Sequence, residues 1–393
     1  MLYDVIVVGL GPGGATAAYE LASRGFNVLA FDKENFPRYK PCGGCLSLKV
    51  EKILPVDFKH VVEDTAYGAV FTFKSKRPLP ILSQRPVGYN VSRSRFDNLL
   101  KEKAKEAGVC IRTGERALGV EEEKDCVRVK TSAGTYGAKV LIGADGANSI
   151  IAREVLGLKP SRCAVALEAE LPLNGERLAA LKGRLLIDFG CIPHGYAWVF
   201  PKDKSISAGI AGVSQKVKGR IKECFRDFVS REEALAGLDI KNVHGWTIPY
   251  YYNAGQRIAK GRILAVGDAA RLVDPFLGEG IYYAIRSGQI AAAIIAERIR
   301  RDDAPDMTSY HEVVAAELYP DLNAAAKLGR LVYNFPRLWY NMLESEPSLM
   351  ESYYDVVRGD NRYEGFYSDL MARIKARPWR LLTRWLKKGV QRV

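Results

Sequence analysis

Short apolar runs and amphipathic stretches alternate in the first third of the chain. The run from Tyr3 to Val8 is rich in β-branched residues, and a second apolar run spans Phe26 to Phe31. Apolar runs of this length are typical of strands buried on both faces of a parallel sheet. A helix-compatible stretch separates the two runs, and Phe96 to Gly108 carries its apolar residues on one helical face. The pattern predicts a strand–helix–strand unit at the start of an α/β fold.

Later segments predict further strands and then helices. Residues 162–213 are strand-rich, residues 219–236 have a helical pattern, and the pattern from 305 onward is helical with little strand. Additional strands are expected over Gly68–Phe73, Val127–Lys130, Lys139–Ile142 and Arg262–Val266, and a long helix over Glu279–Arg301.

A glycine-rich turn joins the first strand to the first helix. Gly9, Gly11 and Gly14 have the spacing Gly-x-Gly-x-x-Gly, and Asp32 closes the next apolar run. In a dinucleotide-binding unit these glycines permit a tight turn, a close approach to a pyrophosphate and close helix–strand packing, while the acid binds a ribose. A glycine-rich turn in an ordinary α/β domain is the alternative, but the strand, helix and acid favour a nucleotide site.

A second turn carries a related signal. The predicted strand Arg262–Val266 ends in Gly267 and Asp268, and Gly278 and Gly280 then precede the long helix. An acid at a strand end can bind a sugar or ribityl hydroxyl. The helix N-terminus would stabilise a nearby negative charge by about 0.3–1 kcal/mol when exposed.

A third turn, Gly143 to Ser149, contains Asp145 and has glycines that permit close backbone approach to a cofactor. The nucleotide signals fall near residues 9–32, 91–97, 141–153 and 262–290, with strand-rich blocks between them. One nucleotide domain interrupted by insertions explains this spacing better than a tandem array of domains.

Three aromatic residues alternate with other residues in one predicted strand. Tyr196, Trp198 and Phe200 would project from the same face of that strand. They would form either an apolar wall for a substrate or flavin edge, or part of an ordinary sheet core.

The segment Cys42-Gly43-Gly44-Cys45 permits three interpretations. A redox Cys-x-x-Cys motif is disfavoured by the two intervening glycines, and a metal site lacks further ligands at suitable spacing, so no metal is expected. The third interpretation is a loop that lines a cofactor pocket.

Composition narrows the class of protein. The chain has 393 residues, 48% hydrophobic and 26% charged, which indicates a globular protein of two or three domains. The first strand leaves no room for a signal peptide, no run is apolar enough to span a membrane, and the seven scattered cysteines indicate reduced thiols. We expect a cytoplasmic protein.

The formal net charge of +13 points to an anionic partner. Residues 371–393 contain eight basic residues, no acid, and the interleaved Trp379 and Trp385. This segment suits peripheral contact with anionic lipid at the inner face of the cell membrane. A solvated helix is the alternative, and no nucleic-acid recognition motif is visible.

Taken together, these motifs resemble flavoproteins of the para-hydroxybenzoate hydroxylase fold, and within that group the geranylgeranyl reductase family. The resemblance covers roughly residues 1–300. Besides the glycine turns, it is carried by Pro41-Cys42-Gly43-Gly44, Leu46-Ser47, Arg93-x-x-Phe96-Asp97, Gly143-Ala144-Asp145-Gly146, Tyr196-x-Trp198-x-Phe200-Pro201 and Gly267-Asp268-Ala269-Ala270 with Gly278-Glu279-Gly280-Ile281. Arg271 departs from the family pattern, which usually has a smaller residue there.

The resemblance implies an FAD cofactor and a discontinuous Rossmann-like FAD-binding domain. That domain would comprise residues 1–60, 85–160 and 255–300; residues 61–84 and 161–254 would form an antiparallel-sheet substrate domain, and residues 301–393 a helical C-terminal region. The implied FAD-binding residues are Gly9, Gly11, Gly13, Gly14, Asp32, Lys33, Cys42, Gly43, Gly44, Arg93, Asp145, Gly267, Asp268, Pro275, Gly278, Gly280 and Ile281.

The family reduces isolated double bonds in polyprenyl chains of lipids, chlorophyll side chains or quinones. Hydride transfer to an unactivated alkene requires a proton as well. Cys42 is the nearest candidate acid, with Tyr196 and His194 behind it. Tyr196, Trp198 and Phe200 are the expected substrate contacts, with Tyr196 and Trp198 also near the chemistry.

The alternative is a flavin-dependent monooxygenase or halogenase acting on a hydrophobic or aromatic substrate. No second nucleotide fingerprint is present, so NAD(P)H and reduced ferredoxin both remain candidate electron donors.

Overall fold

The computed structural model describes residues 2–158, 162–252, 255–301 and 306–376. In chain order its strands are β1 Leu2–Val8, β2 Val28–Asp32, β3 Cys45–Ser47, β4 Val62–Ala66, β5 Gly68–Phe73, β6 Leu79–Leu82, β7 Gly88–Val91, β8 Cys110–Thr113, β9 Ala117–Glu122, β10 Val127–Thr131, β11 Thr135–Gly143, β12 Ala164–Pro172, β13 Leu185–Phe189, β14 Gly195–Pro201, β15 Ser205–Val213, β16 His244–Ile248, β17 Ala259–Lys260 and β18 Ile263–Ala265. The helices are α1 Pro12–Ala22, α2 Lys49–Ile53, α3 Arg93–Glu106, α4 Gly175–Leu181, α5 Ser214–Val217, α6 Ile221–Arg231, α7 Ile281–Arg300, α8 Thr308–Asn334, α9 Pro336–Ser345, α10 Ser348–Arg358 and α11 Tyr363–Ala376.

The first sheet has eight strands. Its main path runs β17-β18-β11-β1-β2-β8, and β10 and β9 extend from β11. Strands β18, β11, β1, β2 and β8 are parallel. Because Val8 pairs with both Gly143 and Phe31, and Gly143 pairs with Ala265, the carboxyl ends of these strands meet at one edge. Ligands of open α/β sheets bind at such an edge.

The second sheet has seven strands in the order β16-β12-β15-β14-β13-β5-β6. All neighbours are antiparallel except β13 and β5. A third, three-stranded sheet has the order β3-β7-β4, and the Asn90 side-chain amide links it to β14 by donating to the Pro201 carbonyl at 2.9 Å. The predicted α/β class, with a second, largely antiparallel sheet and C-terminal helices, is confirmed.

The helices after residue 306 cover the second sheet. Leu328, Trp339 and Tyr353 pack with Phe71 and Phe189 in one buried apolar cluster. Tyr354 also bonds the sheet directly, since its hydroxyl donates to the Ile81 carbonyl at 2.7 Å and accepts from the Ala69 amide at 3.0 Å. This region therefore contributes core as well as surface, a role that the helical pattern alone could not assign.

Within the described ranges, no helix combines the length and apolar character needed to cross a bilayer. Residues 377–393 of the predicted basic tail lie outside the described part of the chain.

Helices α1 and α7 contact each other through backbone rather than side chains. A Cβ atom added at Gly288 would lie 2.4 Å from the Gly13 carbonyl oxygen, and one added at Gly13 would lie 2.8 Å from the Ala284 carbonyl oxygen. Close-packed interiors cannot absorb such overlaps without moving the backbone. The two glycines therefore fix the distance between the helices that flank the ligand-binding edge.

We expect Gly288→Ala to destabilise the protein by about 1–3 kcal/mol through overpacking. An alanine in a helix interior ordinarily stabilises a protein by about 1 kcal/mol relative to glycine. A loss of stability in Gly288→Ala would therefore indicate overpacking, because helix propensity alone predicts a gain. The measurement is the urea unfolding midpoint.

Gly119→Ala on β9 is the matched control, because a Cβ atom there meets no atom within 4 Å and the glycine has no left-handed φ. Equal midpoints for Gly288→Ala and wild type would contradict the contact described here.

Candidate active site

A cavity of about 620 Å³ lies between the carboxyl edge of the first sheet and one face of the second. Drug-sized and cofactor sites commonly fall in the range of about 300–1,000 Å³. Every site residue predicted from the sequence lines this cavity except Gly44. The parallel register explains this convergence, because the turns after β1, β11 and β18 all start at the same edge.

The three glycines of the first turn have different surroundings. Gly9 has φ +100°, and a Cβ atom there would lie 2.2 Å from the Ala144 carbonyl oxygen, while one at Gly14 would lie 2.0 Å from the Gly9 carbonyl oxygen. Gly11 is open: its nearest neighbour to an added Cβ atom is the Arg38 guanidinium, at 3.8 Å. Gly9 and Gly14 therefore serve the fold, and Gly11 leaves space on the cavity side.

Asp32 holds this turn in place. Its carboxylate accepts from the Leu10 amide at 2.8 Å and from the Glu34 amide at 3.0 Å. The neighbouring Lys33 is exposed at the cavity rim.

Two arginines share one buried carboxylate beside the glycine turn. Arg93 makes a bidentate pair with Asp97 at 2.8 and 2.9 Å, and Arg38 approaches the same carboxylate at 3.1 Å. Asp97 is fully buried. The Arg38 guanidinium also lies 4.0 Å from the Asp32 carboxylate. Two guanidinium groups thus meet at this corner of the cavity, and such groups suit a diphosphate. Sequence reasoning missed Arg38, which sits in a loop without a recognisable motif.

The turn after β18 brings an acid and a helix N-terminus to the cavity. Asp268 lies beside Gly280, whose added Cβ atom would be 3.4 Å from the Asp268 carboxylate, and Gly280 directly precedes α7. No described residue is recorded as donating a hydrogen bond to the Asp268 carboxylate. Pro275, Gly278 and Ile281 also line the cavity here, and Asp145 lines it from the turn after β11.

The segment from Asp274 to Gly280 is braced by the C-terminal helices. The Gly278 amide donates to the Asp274 carbonyl at 3.0 Å, and the Tyr363 hydroxyl on α11 donates to the Asp274 carboxylate. Tyr353 on α10 contacts the Tyr363 hydroxyl at 2.6 Å. Burial raises the pKa of Asp274 to about 6.

The Cys42 loop packs against the aromatic strand. The Cys42 sulfur accepts from the Gly44 amide at 3.4 Å and from the Arg93 side chain. A Cβ atom at Gly43 would lie 2.8 Å from the Phe200 ring, so the loop lies directly on that ring.

Gly44, which the sequence predicts to bind the cofactor, is not among the residues that line the cavity. Its φ of +76° and the 2.2 Å separation between an added Cβ atom and the Val91 carbonyl oxygen show that it turns the chain into β3. Cys45 is also turned away from the cavity, and burial raises the pKa of its thiol to about 12. In the described part of the chain no three acidic, histidine or cysteine side chains cluster as metal ligands would.

The polar side-chain atoms of Tyr196 and Trp198 on β14 form hydrogen bonds within the protein. The Tyr196 hydroxyl donates to the Leu277 carbonyl at 2.5 Å, and the Trp198 indole donates to the Ser207 hydroxyl at 3.1 Å. Both side chains are thus fixed with their ring faces available to the cavity.

Small residues on β15 and β12 separate Tyr196 and Trp198 on β14 from Trp246 and His244 on β16. One row across the sheet is Trp246–Ala166–Ala211–Tyr196, and the next is His244–Glu168–Gly209–Trp198. Gly209 makes room for the Trp198 ring, because an added Cβ atom would lie 2.3 Å from it. The two rows form a trough that is apolar apart from Glu168 on its floor. Small residues make up the rest of the floor, and ring-bearing residues form the sides.

Several trough residues were not predicted from the sequence, among them Glu168, His244, Trp246, Tyr39 and Lys40. The Lys40 ammonium lies 3.5 Å from the centre of the Trp246 ring, and burial lowers the pKa of Lys40 to about 8. Alternation along β12 and β16 was the available signal, but only cross-strand register shows which of their faces meets the cavity.

Arg271 does not enter the cavity. It has φ +58°, and its guanidinium donates to the Leu158 carbonyl at 2.8 Å and to the Gln256 side chain at 3.1 Å. This departure from the family pattern therefore leaves the cavity wall unchanged.

These features fit FAD. The open face of Gly11 beside Arg38 and Arg93 suits its diphosphate, and the partly exposed Asp268 carboxylate suits its ribityl hydroxyls. The fold and cavity define an FAD-binding flavoprotein, and the model of an FAD binding domain matches residues 2–167.

Comparison with known proteins identifies the family. The chain is 30% identical over 344 residues to a digeranylgeranylglycerophospholipid reductase of Thermoplasma acidophilum, covering 81% of this chain and 84% of that protein. A geranylgeranyl bacteriochlorophyll reductase-like crystal structure from the same organism superposes with a TM-score of 0.75 and 26% identity, covering 84% of this chain and 88% of that one. The chain belongs to the geranylgeranyl reductase family of FAD-dependent oxidoreductases.

The fold is shared more widely than the family. A flavin-dependent brominase superposes with a TM-score of 0.71 at 20% identity, over 96% of this chain and all of that one. At this identity the similarity concerns the fold alone.

We expect Gly11→Ala to weaken FAD binding by at least about tenfold, or about 1.4 kcal/mol, while the apoprotein stays folded. The Gly11 backbone has φ −69°, which alanine adopts readily, and its added Cβ atom would meet only the Arg38 guanidinium, at an ordinary contact distance of 3.8 Å. The measurements are FAD titration by fluorescence and the melting temperature of the apoprotein.

Gly9→Ala is the contrasting control, since its φ and its contact with Ala144 predict a loss of folded protein rather than of FAD affinity alone. Unchanged FAD affinity in Gly11→Ala would remove Gly11 from the cofactor site.

Proposed function

We propose that this protein is an FAD-dependent reductase that saturates isolated C=C bonds in polyprenyl chains of lipids or related molecules. The proposal joins the family, whose named members include reductases of geranylgeranyl lipids, to the chemistry of the cavity. FAD, once bound and reduced, supplies a hydride. The protein must then hold the alkene, exclude water and provide a proton.

The observation that carries the proposal is the trough on the second sheet. Ala166, Ala211 and Gly209 form its floor, and aromatic rings form its sides along two consecutive rows. A groove of this kind accepts a narrow, branched apolar chain along its length, whereas one bulky ring would be held at a single position. Tyr196 lies at the end of the trough that meets Gly278.

In this proposal the roles of Tyr196, Trp198 and Phe200 are to contact the substrate and to hold it in place. Their rings contact the substrate chain, and the hydrogen bonds of Tyr196 and Trp198 keep the ring orientations fixed. A dry, preorganised wall strengthens electrostatic interactions at the reacting carbon atoms.

FAD in this proposal is held by the residues already described. Arg38 and Arg93 neutralise the diphosphate, Asp268 binds the ribityl chain, and the Gly278–Ile281 turn faces the ring. Either NAD(P)H or reduced ferredoxin would supply the electrons, and the lipid substrate would enter from an anionic membrane surface contacted by the basic tail.

Incubation of the dithionite-reduced protein with geranylgeranyl lipids under anaerobic conditions tests the function. We expect the flavin to be reoxidised and the lipid to gain mass in steps of two hydrogens, read by mass spectrometry. Geranylgeranyl lipids already saturated by chemical hydrogenation are the control and should leave the flavin reduced.

A lipid that is left unchanged without oxygen, but gains oxygen or halogen when oxygen and halide are supplied, would contradict the proposal. That result would instead favour a monooxygenase or halogenase on the same fold.

A further inference from the structure

Glu168 is a carboxyl group in the middle of an otherwise apolar trough. It is 2% exposed, lies on β12 two residues after Ala166, and lines the cavity. Its row across the sheet also contains Gly209 and Trp198. Burying an unpaired carboxylate is costly, so a carboxyl group in such a place is favoured in its neutral, protonated form.

The carboxyl group of Glu168 contacts two hydroxyl groups. One carboxyl oxygen accepts from the Ser207 hydroxyl at 3.1 Å, and the other accepts from the Tyr39 hydroxyl. No cation is paired with Glu168 in the described part of the chain; the nearby Lys202 pairs with Glu170 instead, at 2.8 Å. Burial raises the pKa of Glu168, which keeps the carboxyl group protonated to higher pH than an exposed glutamic acid.

Tyr39 connects this carboxyl group to solvent. Its side chain is 45% exposed, in contrast to Glu168, and its ring packs on His244 with centroids 4.6 Å apart. A phenol hydroxyl can both donate and accept a hydrogen bond, so Tyr39 can pass a proton from the exposed side of its residue to the carboxyl group after each reaction.

Cys42, the acid suggested by the sequence, has different surroundings. Its sulfur accepts from the Gly44 amide and from Arg93, so both contacts use it as an acceptor. The Tyr196 hydroxyl is likewise committed to the Leu277 carbonyl. Glu168 differs from both in being a carboxyl group buried on the trough floor, where burial favours its protonated form.

We propose that Glu168 is the general acid that protonates the alkene, and this rests on the proposed reductase function. The carboxyl O–H bond breaks and a C–H bond forms at one alkene carbon, leaving a tertiary carbocation at the other. That carbon accepts the hydride that reduced FAD supplies, so one proton and one hydride saturate the bond. The carboxylate regains its proton from water through Tyr39.

Glu168→Gln tests this assignment, because glutamine keeps the shape and hydrogen-bonding capacity of the side chain but is not an acid. We expect anaerobic flavin reoxidation by a geranylgeranyl lipid, measured in single turnovers, to slow by about 100-fold or more. FAD affinity and the melting temperature should stay near wild type, and Glu168→Asp should recover part of the rate.

The pH profile separates acid catalysis from a structural role. The titratable groups facing Glu168 are Tyr39, His244 opposite it on β16, Glu170 along β12 and Lys202 after β14. Because the protonated form is active, the wild-type rate should fall as the pH rises through the raised pKa of Glu168. Glu168→Gln should lose this pH dependence, whereas a variant that merely disturbs packing would keep it at a lower rate.

Asp188→Asn is the matched control. Asp188 is a fully buried carboxyl group on β13 of the same sheet, it accepts from the Thr72 hydroxyl at 2.7 Å, and it does not line the cavity. We expect its single-turnover rate and pH profile to match wild type.

A wild-type rate in Glu168→Gln would overturn the assignment of Glu168. So would a pH profile retained in Glu168→Gln but lost in Cys42→Ala, which would identify Cys42 as the acid. Both results require that wild type reduces the lipid. If wild type leaves it unreduced, the proposed function itself fails.

Discussion

The parallel register of β18, β11, β1 and β2 is the constraint on which the rest of the structure depends. It places Ala265, Gly143, Val8 and Phe31 in one line, so three turns far apart in sequence begin at the same edge. The hydrogen-bond ladder fixes this line to within one residue, because a shift of one residue would turn every side chain to the opposite face. The glycine contact between α1 and α7 then sets the separation of the helices that flank the edge.

The cavity combines two environments of opposite character. Its first-sheet side presents two arginines, a partly exposed carboxylate and backbone amides, whereas its second-sheet side presents small residues between aromatic rings. The Cys42 loop lies between them, bonded to Arg93 on one side and resting on Phe200 on the other. The loop thus separates a side of the cavity rich in charged and backbone groups from a side rich in aromatic and small residues.

Sequence could predict what is local. The spacing of Gly9, Gly11 and Gly14 and the Gly267-Asp268 pair have meaning within a few residues, and their turns lie where the fold class requires. Gly44 does not line the cavity, and its left-handed φ serves a turn that only the contact with Val91 explains. Arg38, Glu168 and Trp246 could not be found, since their place in the cavity depends on a loop path or on which strand lies beside which. The helical pattern after residue 305 likewise gave no partner for those helices.

The Tyr363–Asp274 hydrogen bond makes one turn of the cavity depend on a helix near the end of the described chain. The tyrosine follows the aspartate by 89 residues, so the turn from Asp274 to Gly280 gains this brace only when α11 is in place. A chain shortened before α11 would keep the sequence of the glycine turn and of α1 but would lack this bond.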